Sequence, residues 1–446
     1  MQSIHREAEK ILAAIDGLVL YREIFKDPVL VGFKKMLINL DRDSLSARSL
    51  YFELLGNLIG IGHEPGPAGL DLFKNRFLSS LLGTETAFSF SCEKSPFSEL
   101  DHVKVSAARR DMVLLREIYD FDLAGLQKHF AESPGAGTDT ISLSNSGQQG
   151  STKAKYPQFY HEQVQNLKSL LSSAGSWAEH LEDIHRFYHT VGSGIFGRFW
   201  AFRWNQSNGE SGLTGVSKPD PIRLDDLVGC EDQIEEIVRN TRQFVQGSGA
   251  NNVLLYGDRG TGKSSTVKSL IHLFGRDGLR IVEVTKHDLL SLRQVVESVE
   301  QRALKFIIFI DDLSFEEDET EYKELKALLE GSIAKPPENV LVYATSNRRN
   351  LVREYFNDRH ADEVGKQDTY QEKLSLADRF GIKLIYSTPD KQGYLQTVDA
   401  LARQNDIIMD RTELHDLALR WALWHNGRSG RTARQFINDL KGRLEG

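Results

Sequence analysis

Apolar positions along the chain change their period near residue 219. From residue 1 to about 130 they recur at helical spacing, as in Ile11, Leu12, Ile15 and Leu18, then Leu50, Leu54, Leu55 and Leu58. Steps of three and four keep such residues on one helix face, and few segments alternate as strands do. Residues 133–153 hold almost no large apolar side chain, so burial cannot offset their ordering entropy and a flexible loop is expected. Helical spacing returns from about Gln158 to His189, followed by the aromatic run GSGIFGRFWAFRW and the polar, Gly-rich NQSNGESGLTGVSKPDP. Residues 1–204 therefore read as a mostly helical N-terminal domain and 205–218 as a linker.

Beyond that point short apolar runs alternate with helical stretches: VLLY at 253–256, RIVEV at 280–284, FIIFI at 306–310, VLVYAT at 340–345 and IKLIY at 382–386. This alternation predicts an α/β domain over 219–388, a five-stranded parallel sheet flanked by helices. After Pro389 only helical spacing remains, with Leu414, Leu417, Ala418, Trp421 and Ala422 on one face and Phe436, Ile437 and Leu440 on another. Residues 389–446 are expected to form a helical lid.

Composition narrows the picture in three ways. At 446 residues, 40% hydrophobic and 26% charged, the chain is too long for one core and too apolar to be wholly disordered or fibrous. Its net charge of -8 gives no overall attraction to nucleic acid or anionic lipid, so nucleic acid is a disfavoured partner. The two cysteines, Cys92 and Cys230, lie far apart without CxxC or Cys/His spacing, which supports neither a disulfide framework nor a zinc site. The opening MQSIHREAEKILAAIDG mixes charges among its apolar residues, unlike a secretory signal, and no run is long enough to cross a bilayer. A cytoplasmic protein without membrane insertion is expected.

The chemistry concentrates between residues 257 and 312. Gly257-Asp258-Arg259-Gly260-Thr261-Gly262-Lys263-Ser264 fits GxxxxGK[ST], follows the strand NNVLLY and opens the helical run SSTVKSLIHLF. Its glycines let backbone N–H groups converge on phosphate oxygens at a helix start, where Ser265 also lies. Lys263 would neutralise the β- and γ-phosphates of ATP, and the Ser264 hydroxyl would ligate Mg2+. Asp311 and Asp312 end the buried run KFIIFI, the end of a parallel strand where ligands bind. Asp311 could hold the metal and Asp312 could orient or deprotonate the attacking water. RIVEV intervenes in sequence between the two motifs, which favours a hydrolase over a nucleotide kinase by topological analogy.

From Leu224 to Gly446 the chain resembles the AAA+ superfamily, and more closely a bacterial AAA+ family known as a domain of unknown function. The segments that carry the likeness are DLVGCEDQ, NNVLLYGDRGTGKSS, KFIIFIDDLSFEED, LKALLEGSI, NVLVYATSNRRNL, EKLSLADRFGIKL and SGRTARQFI. Asp101 to Leu115 and the aromatic run before Trp204 resemble that family as well. The resemblance implies a P-loop AAA+ module with a C-terminal lid, in which Leu227 and Val228 pack against adenine. It also implies that Asn347 is the sensor 1 residue and Arg379 an arginine finger donated in trans. Arg431 takes the place of sensor 2, with Arg434 as the alternative. A finger in trans implies a homo-oligomer, a ring or filament with a hexamer among the candidate forms.

The expected function is binding and hydrolysis of Mg-ATP to ADP that drives conformational change or remodelling of an unidentified partner, expected to be a protein client. A nucleotide-gated scaffold with negligible hydrolysis and a DNA-remodelling ATPase stay open as alternatives. Two departures from the superfamily matter. Asp312 stands where Glu is usual, which predicts slow hydrolysis, and TKHDLLSLRQ lacks an aromatic pore loop, which disfavours threaded unfolding. Phe196, Phe199, Trp200, Phe202 and Trp204 interleave with Arg198 and Arg203; packing at the domain junction is the expected role rather than base stacking. His180, His185 and His189 could share a helix, with the last two at i and i+4, but neither an HExxH glutamate nor a third ligand accompanies that pair, so a metal site is not expected.

Overall fold

The computed structural model describes residues 2–40, 44–61, 66–67, 69–131, 156–207, 210–315, 322–330, 337–347, 376–425 and 427–445. The expected flexible loop at 133–153 lies outside these residues. Two compact units divide the chain, Met1–Phe199 and Trp200–Gly446.

The first unit is helical: α1 (Gln2–Asp16), α2 (Pro28–Leu40), α3 (Ser44–Gly60), α4 (Leu72–Gly83), α5 (Ala87–Lys94), α6 (His102–Tyr119), α7 (Leu123–Ala131), α8 (Gln158–Ser173), α9 (Leu181–Val191) and α10 (Gly194–Arg198). Of the apolar residues chosen by spacing, Ile11, Ile15, Leu18, Leu54, Leu55 and Leu58 are buried in one core, with Leu12 and Leu50 packed at its margin. Polar groups fix the chain path at the ends of helices. Asp111 of α6 is fully buried and accepts the N–H groups of Val19, Leu20 and Tyr21 at 3.0, 2.7 and 3.0 Å, which satisfies backbone donors just beyond α1. His185 and His189 bond the carbonyls of Ser95 and Cys92, each at 2.9 Å, and their rings stack.

The second unit holds a seven-stranded sheet in the order β2-β1-β4-β5-β6-β3-β7. Its strands are β1 (Ala201–Ser207), β2 (Glu210–Gly215), β3 (Val253–Gly257), β4 (Leu279–Val284), β5 (Lys305–Ile310), β6 (Val340–Ser346) and β7 (Ile382–Tyr386). All neighbours are parallel except β1 and β2. The five expected parallel strands are β3 to β7, each within a residue of its apolar run. The segment read as a linker instead contributes most of the β1–β2 hairpin at the sheet edge. Phe202 and Trp204 anchor it by burial, while Asn205, Gln206, Ser211, Gly212 and Thr214 are exposed. Backbone pairing, such as Arg203 with Thr214 and Asn205 with Gly212, does the rest without apolar side chains. The aromatic run is thereby split, since Phe196 is buried in the first unit and Phe202 and Trp204 in the second.

β6 lies between β3 and β5, whereas β4, which intervenes in sequence, lies beyond β5. This arrangement of β4 to β7 around β3 is the expected P-loop AAA+ fold, and it brings the segments following β3, β5 and β6 to one edge. Helices α11 (Glu231–Val245), α12 (Lys263–Phe274), α13 (Leu292–Val299) and α14 (Tyr322–Glu330) connect the strands. The lid comprises α15 (Lys391–Gln404), α16 (Arg411–Trp424) and α17 (Gly430–Glu445), with its own core of Tyr394, Val398, Leu401, Leu414, Ala418, Phe436, Ile437 and Leu440. Asp390 and Asp410 cap α15 and α16 by accepting backbone N–H groups in their first turns.

Candidate nucleotide-binding site

β3 runs out at Gly257, whose φ of 136° and close passage by β7 exclude a side chain: a Cβ there would stand 1.9 Å from the Tyr386 carbonyl oxygen. Gly260 and Gly262 follow with φ of 78° and 100°, so the loop curls through left-handed backbone before α12 begins. A loop that curls this way into a helix start is the backbone form that can cradle a phosphate chain.

Lys263 opens α12 and is buried. Its Nζ donates to the carbonyls of Gly257 and Asp258 at 2.9 and 2.6 Å and to Asn347 Oδ1 at 3.1 Å. Burial pushes its pKa below the ordinary lysine value. Ser264 and Thr345 both donate hydroxyl hydrogen bonds to Asp311 Oδ1 at 2.6 Å. Asp312, at φ 52°, is held in left-handed backbone by its N–H bond to Thr345 Oγ1 at 2.9 Å and by the Leu313 N–H bond to the Thr345 carbonyl at 2.7 Å. Asn347 Nδ2 donates to Asp312 Oδ1, so one amide bridges the P-loop lysine and the second acid.

These groups border a cavity of about 590 Å³. Arg259, Thr261, Ser265, Asp311 and Asp312 form its polar side, Leu227 and Val228 an apolar wall, and Thr397, Leu401, Arg431 and Arg434 the lid side. The volume suits a nucleoside triphosphate. Its donor set, a hydroxyl and a carboxylate already within hydrogen-bond reach of each other, suits a hard cation such as Mg2+. Both the loop cradle and this pair fit Mg-ATP.

Gly257 and Asp258, expected among the binding residues, stand outside the cavity wall. The Asp258 carboxylate instead accepts the Thr388 N–H at 2.9 Å and hydroxyl at 2.6 Å, a clasp between the P-loop and the chain after β7. Those bonds hold its pKa below the ordinary aspartate value. On the lid, the Arg431 N–H donates to the Gly260 carbonyl at 3.2 Å, and Arg434 Nη2 reaches the Asp226 carbonyl at 3.5 Å.

Arg379 is not brought to this cavity. It precedes β7, whose first residue Ile382 pairs with Val253 at the start of β3, so it sits toward the sheet edge opposite the P-loop and is exposed. At about 3.3 Å per strand residue, the length of β7 separates it from its own phosphate cradle.

Sequence reasoning overlooked Thr345, although it lies two residues before Asn347 on β6 and hence on the same strand face. It also overlooked Thr388, Thr397 and Leu401, which carry no motif.

Two solved structures illustrate what the chain is similar to. The RuvB Holliday junction branch migration motor of Thermotoga maritima aligns at 16% identity and a TM-score of 0.36, covering 50% of this chain and 66% of that one. The chain thus spans just under two thirds of that protein. The FIGL-1 AAA domain in complex with ADP aligns at 21% identity and a TM-score of 0.34, covering 51% of this chain and 76% of that one. No curated protein shows significant sequence similarity to the chain. Residues 197–444, which carry the phosphate loop, both acids and the lid, match the family described as "Protein of unknown function (DUF815)", and with more than half its length in that match the chain belongs to this family.

Proposed function

We propose that this chain is a Mg-ATP-binding AAA+ ATPase whose nucleotide cycle changes how its N-terminal unit engages a protein client. The observation that carries this reading is the convergence of Lys263, Ser264, Asp311, Asp312 and Asn347 on one cavity beside a glycine-lined loop. Loop N–H groups and Lys263 bind the phosphates; Ser264 and Asp311 would hold the metal. Bound Mg2+ supplies neutralisation of charge on the phosphate oxygens. Asp312 accepts a proton from the attacking water, which Asn347 orients through the amide already bonded to that carboxylate. Leu227 and Val228 pack against the base, and Arg431, with Arg434 as the alternative, reports the phosphates to the lid.

Arg379 lies too far from its own site to act in cis, which supports its action on a neighbouring copy and makes the active species a homo-oligomer. A guanidinium fixed beside the transferred phosphoryl group would complete the site. Turnover of ATP by the purified chain, above that of a Lys263→Ala variant and rising with protein concentration, is the expected result. Absence of turnover with retained Mg-ATP uptake would favour the second reading, a nucleotide-gated scaffold. The short Asp312 side chain, tied to Asn347, is the feature that supports that second reading.

A further inference from the structure

Lys268 stands one turn beyond Ser264 on α12, and i, i+4 spacing puts the two on one helix face. Its ammonium lies 3.1 Å from Glu283 Oε1 and 3.9 Å from Asp311 Oδ2, and 5.6 Å from the centre of the Phe309 ring. Glu283 in turn receives Arg203 Nε on its other oxygen at 2.9 Å. Strand register aligns Arg203, Glu283 and Phe309 across β1, β4 and β5, on the face that α12 covers at Lys268. Four charges of alternating sign thus run from the edge hairpin to Asp311. None of them but Asp311 belongs to the P-loop machinery.

Both oxygens of Asp311 are engaged, but differently. Oδ1 takes the two hydroxyl hydrogen bonds, and Oδ2 faces Lys268. A cation already within 4 Å of a carboxylate lowers the affinity of that carboxylate for a second cation, because the two positive charges repel. Glu283 acts in the opposite sense by drawing the ammonium toward itself. We propose that Lys268 is a positioning residue that sets the Mg2+ affinity of the site, acting as a resident counter-charge to Asp311 whose strength Glu283 and Arg203 adjust. The inference rests on the Mg-ATP reading above. It gives β1, the first strand after Phe199, an electrostatic route to the metal site. Loss of the Arg203 partner leaves Glu283 free to hold Lys268 more tightly, and metal affinity rises.

The test uses the full chain with a fluorescent ADP bound and follows Mg2+ titration by the fluorescence change. Binding of Mn2+, read by electron paramagnetic resonance, serves as a signal independent of turnover. Metal-free ADP affinity is measured for each variant as the reference. Lys268→Met is expected to lower the half-saturating metal concentration about three- to tenfold at low salt, with the effect shrinking as ionic strength rises. Glu283→Gln is expected to raise it by a similar factor, and Lys268→Arg to remain near wild type. A purely structural role would move the thermal midpoint of these variants without splitting their metal affinities in opposite directions. If the two neutralising variants shift metal affinity the same way, or not at all, while wild type takes up metal and nucleotide, the proposal is overturned. If wild type binds ADP in neither the presence nor the absence of metal, the Mg-ATP reading itself fails and takes this inference with it.

Discussion

Replacing Thr345 by valine isolates the bond network that holds both acids. The side chain is buried, with 1% of its surface exposed, and valine keeps its shape. What disappears is the hydroxyl, which donates to Asp311 Oδ1 at 2.6 Å and accepts the Asp312 N–H at 2.9 Å. A hydrogen bond to a charged group is worth about 1.5–3 kcal/mol, and a donor left without its acceptor costs about 1–3 kcal/mol more. Asp311 has 36% of its side chain exposed and retains Ser264, so water recovers part of the first term. A net loss near the lower limits, about 2–3 kcal/mol, is the reasoned value. For a folded unit of this size each kcal/mol lowers the midpoint by about 2–4 °C.

The assay is calorimetry of the full chain, with the transition of the second unit identified by its shift on adding Mg-ADP. Thr345→Ser keeps the hydroxyl and loses one methyl group, at about 0.8 kcal/mol. The expected order is therefore wild type, then Thr345→Ser slightly below, then Thr345→Val about 4–12 °C lower, with Mg-ADP affinity reduced only in the valine variant. If the valine variant melts no lower than the serine variant and binds Mg-ADP like wild type, the hydroxyl does not matter, and the account of the paired acids is wrong.

Other outcomes follow from the same geometry. Gly257→Ala would drive a Cβ to 1.9 Å from the Tyr386 carbonyl at φ 136°, so loss of soluble, nucleotide-binding protein is expected; Gly249→Ala, with nothing within 4 Å, should melt like wild type. The Asp258 carboxyl is held below its ordinary 3.8 by the Thr388 hydroxyl and N–H, so the clasp stabilises above that value and is lost as pH falls through the folded one. The melting difference between wild type and Asp258→Asn should accordingly be fullest near neutral pH and close below about pH 4. Lys263→Ala and Arg379→Ala should each abolish turnover, the latter on the order of a thousandfold. Mixing the two should restore part of the rate, because a Lys263→Ala copy still offers Arg379 to its neighbour; no recovery across a range of ratios would refute action in trans.

Which features could be read from residues alone follows from where their partners lie. Strands β3 to β6 were legible because strands covered on both faces are runs such as FIIFI, β7 because the edge strand IKLIY is still mostly apolar although Lys383 and Ile385 are exposed, and the P-loop because one short segment holds nearly all its chemistry. The β1–β2 hairpin was not, since an edge pair is made by backbone bonds that a Gly- and Ser-rich composition does not record. The side-chain direction of Asp258 was equally hidden: its partner Thr388 is 130 residues away. Thr345 was within reach, because alternation along VLVYATSN puts it beside Asn347 once Asn347 is chosen. Lys268 was not, because one lysine inside a helix is ordinarily solvated, and only the β4–β5 pairing brings Glu283 and Asp311 to it.

Hydrogen bonds of modest strength join the lid to the P-loop and to the segment before it, and that bears on what a nucleotide could do to the lid. Gly260 offers its carbonyl to the Arg431 N–H at 3.2 Å, and a Cβ there would come 3.0 Å from Ser429 Oγ, so loop and lid meet at backbone distance. Gln404 and Arg434 reach the carbonyls of Asp225 and Asp226 at 3.1 and 3.5 Å, tying the lid to the segment that ends in Leu227 and Val228. Three such bonds, each worth about 0.5–1.5 kcal/mol, total only a few kcal/mol. A ligand that touched Lys263 and Val228 on one side and Leu401 and Arg431 on the other would have different affinities for open and closed lids, and only such a difference can shift their balance. Ties of this strength can be outweighed by the binding energy of one nucleotide, and the lid is accordingly the element whose position should follow the phosphate.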